Sequence, residues 1–101
     1  MKATEKLIGK RVIIRAYGAG VFYGTLSEVE GNTVELTSCR RLWYWDGAAS
    51  LSQLATEGVK APGNCKFTVT VESIVIINVI EIIPATEQAQ QSIESVIEWK
   101  R

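Results

Sequence analysis

The alternation of apolar and polar residues along the first third of the chain predicts a β-meander. Residues 11–17 form a β-branched stretch, RVIIRAY, flanked by glycines, which predicts a strand ending in a tight turn. Residues 21–28 continue as a second strand, in which Gly24 indicates a bulge or a close backbone approach. Turn residues Gly31 and Asn32 precede residues 33–37, which alternate as a third antiparallel strand.

The middle of the chain combines an aromatic strand with a short helix. Residues 39–45, CRRLWYW, are rich in residue types that favour strands. Ser50 and Gln53 have the spacing of a capping box, and Gly58 can close a helix of about two turns. Residues 67–72 then alternate between apolar and polar side chains, which predicts a half-buried strand.

The last third of the chain predicts a buried strand followed by a helix. Residues 74–83, IVIINVIEII, are typical of a strand covered on both faces. Pro84 ends this strand, and Thr86 is the predicted N-cap of a helix that ends near Trp99. We therefore expect an α+β fold, a mainly antiparallel sheet of about five to six strands with a short middle helix and a C-terminal helix, in one domain over residues 1–101.

The apolar run at residues 74–83 needs a cover. Either the C-terminal helix provides this cover, or a second copy of the chain does so in a symmetric dimer or ring. The second alternative predicts a homo-oligomer. The run contains Asn78 and Glu81 and is too short to span a bilayer. Residues 1–10 lack the long apolar stretch of a secretory signal, so we expect a cytosolic protein without a membrane partner.

Composition removes several classes of function. The chain has 11 lysines and arginines against 11 aspartates and glutamates, so no net field favours long nucleic acid. It has no histidine, which removes the commonest general base and any Ser-His or Cys-His pair. Cys39 and Cys65 have no metal-ligand spacing and are expected to be buried thiols. We expect no metal site, no cofactor and no enzymatic activity.

The aromatic strand carries the most informative group of side chains. Arg40 and Arg41 offer guanidinium groups that bind phosphate bidentately, while Trp43, Tyr44 and Trp45 offer faces that stack on bases. The alternative is that one face of the strand packs the core while the arginines lie in solvent or pair with glutamates. Because neighbouring strand residues face opposite ways, Arg40 and Arg41 cannot both line one flat face.

A glycine-flanked turn is the second candidate. Gly18, Ala19 and Gly20 can direct successive backbone amides at an anion, with Arg15 and Tyr17 beside them. The alternative is a plain turn between two strands that binds no ligand. The standard phosphate-binding and dinucleotide-binding motifs are absent from the sequence.

These features support a binding protein that captures a small anionic nucleotide-like ligand. The first alternative is a protein-interaction module that uses the aromatic strand, because Trp, Tyr and Arg dominate interface energetics. The second is an enzyme with Glu35, Glu57 or Glu81 as its base. The predicted ligand-binding residues are Arg15, Tyr17, Gly18, Ala19, Gly20, Arg40, Arg41, Trp43 and Tyr44.

At residues 40–55, RRLWYW-x-GAASLSQLA, the chain resembles a family of small tailed-phage proteins. AGV at residues 19–21, CKF at 65–67 and EIIPAT at 81–86 belong to the same signature, which covers nearly the whole chain. The resemblance implies a phage accessory protein in the host bacterial cytoplasm. More loosely, the expected architecture looks like that of phage anti-defence sponges, which sequester nucleotide immune signals. The alternative within this resemblance is a module that inhibits a host factor or serves as a minor virion or assembly component.

Overall fold

A computed structural model describes residues 3–101 of the chain. Residues 1 and 2, which the predicted domain includes, lie outside the described residues. The α+β prediction is confirmed, with a six-stranded antiparallel sheet, a short middle helix and a C-terminal helix. The elements are a 3₁₀ helix (Ala3–Leu7), β1 (Arg11–Ala16), β2 (Gly20–Glu30), β3 (Thr33–Tyr44), α1 (Leu51–Glu57), a second 3₁₀ helix (Pro62–Asn64), β4 (Lys66–Phe67), β5 (Val71–Ile76), β6 (Val79–Pro84) and α2 (Glu87–Ser95).

The sheet curls so that its two margins approach each other at one corner. Its order is β4-β3-β2-β1-β6, and β5 also pairs with β3, on the edge opposite β2. β5 and β6 thus lie on opposite margins, four strand spacings or about 19 Å apart in a flat sheet. They are joined by residues 77 and 78, a connection that spans at most about 11 Å. The short connection therefore requires a strongly curved, partly closed barrel.

The prediction of one strand over residues 74–83 is wrong, because the chain turns at Asn78. This residue has φ 58°, in the left-handed region that asparagine tolerates. Its carbonyl accepts a hydrogen bond from the Tyr17 amide at 2.9 Å, and the Val79 amide donates to the Asn32 carbonyl at 2.9 Å. The turn is thus fixed to two other turns of the sheet.

A bulge reverses the facing of side chains within β3. Thr25 lies opposite Thr37 and Tyr23 opposite Arg40, so β3 carries one extra residue, and Ser38 adopts φ 48°. The predicted bulge or close approach at Gly24 is confirmed. The predicted separate strands over 33–37 and 39–45 are therefore one twelve-residue strand with a bulge.

Both faces of the sheet are buried, and this explains the continuous apolar run in β1. Val12 and Ile14 point into the curled sheet, whereas Ile13 points toward the helices. We call these two regions the inner core and the outer core. The inner core also contains Phe22, Leu26, Leu36 and Cys39, and the outer core contains Tyr23, Leu54, Phe67 and Ile93.

The two helices begin at the predicted caps. Ser50 Oγ accepts the Gln53 amide at 3.1 Å, and Thr86 Oγ1 accepts the Ala89 amide at 3.1 Å. The prediction that α2 extends to near Trp99 is wrong, because the helix ends at Ser95 and the chain continues extended beside β4. Within residues 3–101, no helix has the length and apolar character required to cross a membrane.

Candidate ligand-binding site

Arg40 is buried and makes internal contacts. Its side chain is 5% exposed and lies between β4 and the end of α2. The guanidinium donates to the carbonyl oxygens of Phe67, Thr68, Ile93 and Val96 at 2.9–3.2 Å. Burial lowers the pKa of this group, and nearby Glu98 partly offsets the effect. The placement does not support the prediction that Arg40 contacts a ligand, because its donors already hold α2 against the sheet.

Arg41 has the opposite surroundings. It is exposed, and its guanidinium carbon lies 4.7 Å from the ring centroid of Phe22, which is directly opposite on β2. Its main chain is fixed by Thr68, whose Oγ1 accepts the Arg41 amide at 3.0 Å. Within residues 3–101, the Arg41 guanidinium makes no hydrogen bond and no ion pair. It is therefore free to bind an anion.

Two tryptophans form a stacked pair next to Arg41. Trp43 is 59% exposed, and its ring centroid lies 5.1 Å from that of Trp99 with 23° between the planes. Lys66 Nζ is 5.5 Å from both ring centroids. The Trp99 amide donates to the Phe67 carbonyl at 2.8 Å, which fixes the chain after α2 beside β4. Sequence reasoning missed this pairing, because no local pattern brings residue 99 to residue 43.

The predicted glycine turn and the aromatic strand border one depression of about 470 Å³, which we call the turn depression. Gly18 and Gly20 have φ 81° and φ 108°, and no atom of the described residues lies within 4 Å of the place a Cβ would take in either residue. The turn therefore leaves the depression open. The side chains across from the turn are Arg41, Trp43 and Trp45.

The central amide of the turn is already hydrogen-bonded within the fold. The Tyr17 amide donates to the Asn78 carbonyl at 2.9 Å, and the Ala19 amide donates to the Ala16 carbonyl at 3.3 Å. The geometry therefore does not support successive free amides at Gly18 to Gly20. The glycines instead border the depression without side chains that would fill it.

A second depression, of about 310 Å³, lies on the other side of Arg41 and Trp43, and we call it the β5 depression. Its walls are mostly apolar, and Thr68 adds a hydroxyl. Arg41 and Trp43 line both depressions. The other residues along its walls are Phe22, Cys39, Val69, Val71 and Ile74.

Four predicted residues lie outside both depressions, namely Arg40, described above, and Arg15, Tyr17 and Tyr44. Arg15 is exposed, and its Nε is 3.3 Å from Oε1 of Glu81. Tyr17 is 77% exposed, and Tyr44 is 49% exposed and pairs with Lys66 of β4. The structure therefore brings together Gly18, Ala19, Gly20, Arg41 and Trp43, and adds Trp45, which is half-buried against the outer core.

A further polar cluster, partly exposed, joins α2 to the sheet. The Tyr23 hydroxyl donates to the Glu94 carboxylate, which also pairs with Arg11. Burial and the Glu94 contact raise the pKa of Tyr23 well above its usual range. Within residues 3–101, no three side chains are grouped as metal ligands. The cluster fixes α2 to β1 and β2.

The comparisons with known proteins give one family. A family model described as "Domain of unknown function (DUF6948)" matches residues 9–93. Comparison with curated proteins and with solved structures gave no match. The matched residues run from the start of β1 into α2, and they include both depressions and most of the two cores. The chain belongs to the family of this domain, DUF6948.

Proposed function

We propose that the protein binds a small anionic nucleotide-like ligand at Arg41 and Trp43. The observation that carries this proposal is the free guanidinium of Arg41, held over Phe22 and adjacent to the exposed ring of Trp43. A guanidinium binds a phosphate through two parallel hydrogen bonds, and an indole stacks on a base. The two side chains are two residues apart on one strand, so they present both functions to one surface.

The size and charge of the site support a small ligand. Depressions of about 310 and 470 Å³ fall within the range typical of small-molecule sites. A protein normally binds a long polyanion through a stripe of basic side chains, whereas this chain has a formal net charge of zero. One available arginine beside aromatic rings suits one phosphate.

The proposal extends to the biological setting. We place the protein among phage accessory proteins in the host bacterial cytoplasm, where it sequesters a host immune signal without converting it. The support is the sequence signature centred on residues 40–55 together with the site geometry. If the protein sequesters its ligand, denaturing the complex releases that ligand intact, whereas recovery of a converted product would indicate an enzyme.

The direct test compares two arginines of equal charge. We expect nucleoside monophosphates to raise the melting temperature of the wild-type protein and of Arg15→Ala, but not of Arg41→Ala. Arg15 is exposed and borders neither depression, so its removal controls for charge alone. The proposal is wrong if no nucleotide stabilises the wild-type protein, or if Arg41→Ala binds as the wild-type protein does.

A second candidate function is protein binding at the tryptophan pair. Ile97 is 87% exposed and precedes Trp99, so an apolar surface extends from the pair along the end of the chain. Tryptophan is among the residue types enriched at the energetic centres of interfaces. Capture of one stoichiometric host or virion protein by the wild-type chain, lost in Trp43→Ala and kept in Arg41→Ala, would favour this function over nucleotide binding.

Self-association is part of the proposal. Val75, Ile77 and Ile80 are 64%, 61% and 58% exposed where β5 turns into β6. Among the described strands, β5 pairs with β3 alone and β6 with β1 alone, so each has a free edge at this corner. A free edge beside apolar side chains is a template for pairing with another copy.

A further inference from the structure

We infer that the ligand is bipartite, with two planar groups joined by one bridging phosphate, as in a dinucleotide. This inference rests on the proposed function and specifies its ligand class. The observation behind it is that Arg41 and Trp43 line both the turn depression and the β5 depression. Each depression takes one planar group, and Arg41 binds the phosphate between them.

The position of β3 in the sheet explains why the site is divided. β2 pairs with one edge of β3, and β4 and β5 pair with the other edge. Arg41 and Trp43 project from the same face of β3 and form a ridge between these neighbours. The turn before β2 borders the turn depression, and residues 68–74 border the β5 depression.

The distribution of charge favours a bridging phosphate over a terminal polyphosphate. Among the described residues that line the two depressions, Arg41 is the only charged side chain. A terminal di- or triphosphate carries several charges at one end of the ligand and needs several cationic partners there. A single guanidinium on the ridge matches a single negative charge with a neutral group on each side.

The two depressions differ in ways that assign a role to each. The turn depression offers the indoles of Trp43 and Trp45, and aromatic rings are good partners for stacking a base. The β5 depression is lined by Val69, Val71 and Ile74. It therefore accepts a planar group through apolar contact.

The experiment is calorimetry on the full chain with the dinucleoside monophosphates ApA, GpG and UpU, each compared with its mononucleotide. We expect at least one dinucleoside monophosphate to bind about 10-fold or more tightly than its mononucleotide, because both groups then bind as one ligand. Arg41→Ala should abolish binding of both members of that pair.

Two variants each fill one depression and leave the ridge intact. Val71→Trp fills the β5 depression from an exposed position, and Ala19→Trp fills the turn depression. Each should reduce the affinity for the dinucleoside monophosphate by about 10-fold or more. The mononucleotide should still bind, because one depression stays open. Val69→Trp replaces Val71→Trp if the latter has an altered circular dichroism spectrum.

The outcomes separate this inference from the function on which it rests. If mononucleotides bind through Arg41 but no dinucleoside monophosphate binds more tightly, the bipartite ligand is wrong and the proposed function stands. The same holds if each filling variant weakens both ligands equally. If neither kind of ligand binds the wild-type protein, the proposed function fails together with the inference.

Discussion

Arg40 and Arg41 are neighbours in sequence, yet their guanidinium groups have opposite surroundings. The extra residue at Ser38 turns Arg40 toward the helices and Arg41 toward the inner face of the sheet, over the ring of Phe22. Arg40 therefore contributes to stability, and Arg41 is available for binding.

Replacing each of these arginines by leucine should separate stability from binding. We expect Arg40→Leu to lower the free energy of unfolding by about 3 kcal/mol, since it leaves buried carbonyl groups without donors. Arg41→Leu should cost less than about 1 kcal/mol, because an exposed guanidinium over a ring contributes little. Urea denaturation measures both values. Equal losses in the two variants would contradict the structural role of Arg40.

Gly24 is required where β2 passes the bulge of β3. A Cβ at this position would lie 3.0 Å from the Thr37 carbonyl oxygen and 3.1 Å from Cys39 Cα, both of them backbone atoms. We expect Gly24→Ala to destabilise the protein by about 2 kcal/mol, measured by thermal unfolding. Gly63→Ala is the control, because no neighbouring atom in the described part of the chain lies within 4 Å of its Cβ position. A melting temperature equal to that of the control would refute this role.

The buried thiol of Cys39 should make stability fall at alkaline pH. Burial raises the pKa of this thiol from its usual 9.0 to about 12, and nearby Arg41 lowers it slightly. The unfolded chain therefore loses the thiol proton at a lower pH than the folded chain does. The protonated thiol makes its full contribution to the free energy of unfolding below about pH 9. This contribution is lost as the pH rises toward 12, by up to about 1.4 kcal/mol per pH unit.

The raised pKa of Tyr23 also makes stability fall at alkaline pH, once the pH exceeds the usual tyrosine pKa of 10.0. Urea unfolding between pH 8 and pH 11 checks the trend. Cys39→Ala should show a shallower decline than the wild-type protein does. An unfolding free energy that stays constant over this interval would show that the thiol and the phenol ionise equally in both states.

At the scale of single helices, local sequence determines where each begins. Ser50 Oγ accepts the Gln53 amide, as the predicted capping box requires, whereas Gln53 Oε1 accepts the amide of Ala49, one residue before the cap, at 2.7 Å. We expect Ser50→Ala to lower the free energy of unfolding by about 1 kcal/mol. Ser52→Ala, at an exposed position in the same helix, should change it by less than about 0.5 kcal/mol. The prediction fails if the two variants have the same denaturation midpoint.

The strands and helices could be predicted wherever the signal was local. The β-branched stretch and its flanking glycines identified β1 and β2, and the caps at Ser50 and Thr86 located both helices. The division of residues 74–83 at Asn78 could not be predicted, because an apolar run has no period that marks a turn. The bulge at Ser38 could not be predicted from the residues around it either, because the glycine that accommodates it, Gly24, lies on the neighbouring strand.

The site was predicted only in part, because its residues meet through the curvature of the sheet. The sequence identified both the glycine turn and the arginine-aromatic strand, and these do border one depression. It did not distinguish Arg40 from Arg41 as the free arginine, nor did it bring Trp99 to Trp43. Both facts depend on where the chain runs after α2, which is set by the packing of the outer core.

At the scale of the whole molecule, the exposed corner between β5 and β6 bears on the predicted oligomer. The C-terminal helix covers the outer face of the sheet, yet Val75, Ile77 and Ile80 remain exposed. We expect size-exclusion chromatography with light scattering to give more than one copy for the wild-type chain and one copy for Ile80→Lys. Ile97→Lys is the matched control at another exposed isoleucine, and it should remain associated. A monomeric wild-type chain would end the proposal of self-association.

The short connection at Ile77 and Asn78 also makes the fold a candidate for domain exchange. Everything beyond it, β6 and α2, packs on β1, on α1 and in the outer core of the same copy. Proline cannot adopt the positive φ of Asn78, so Asn78→Pro would prevent the chain from turning back on itself. β6 and α2 would then reach the same contacts on a neighbouring molecule, giving an intertwined dimer whose contacts are those of the single copy. These two residues thus determine whether the last strand completes its own barrel or that of another chain.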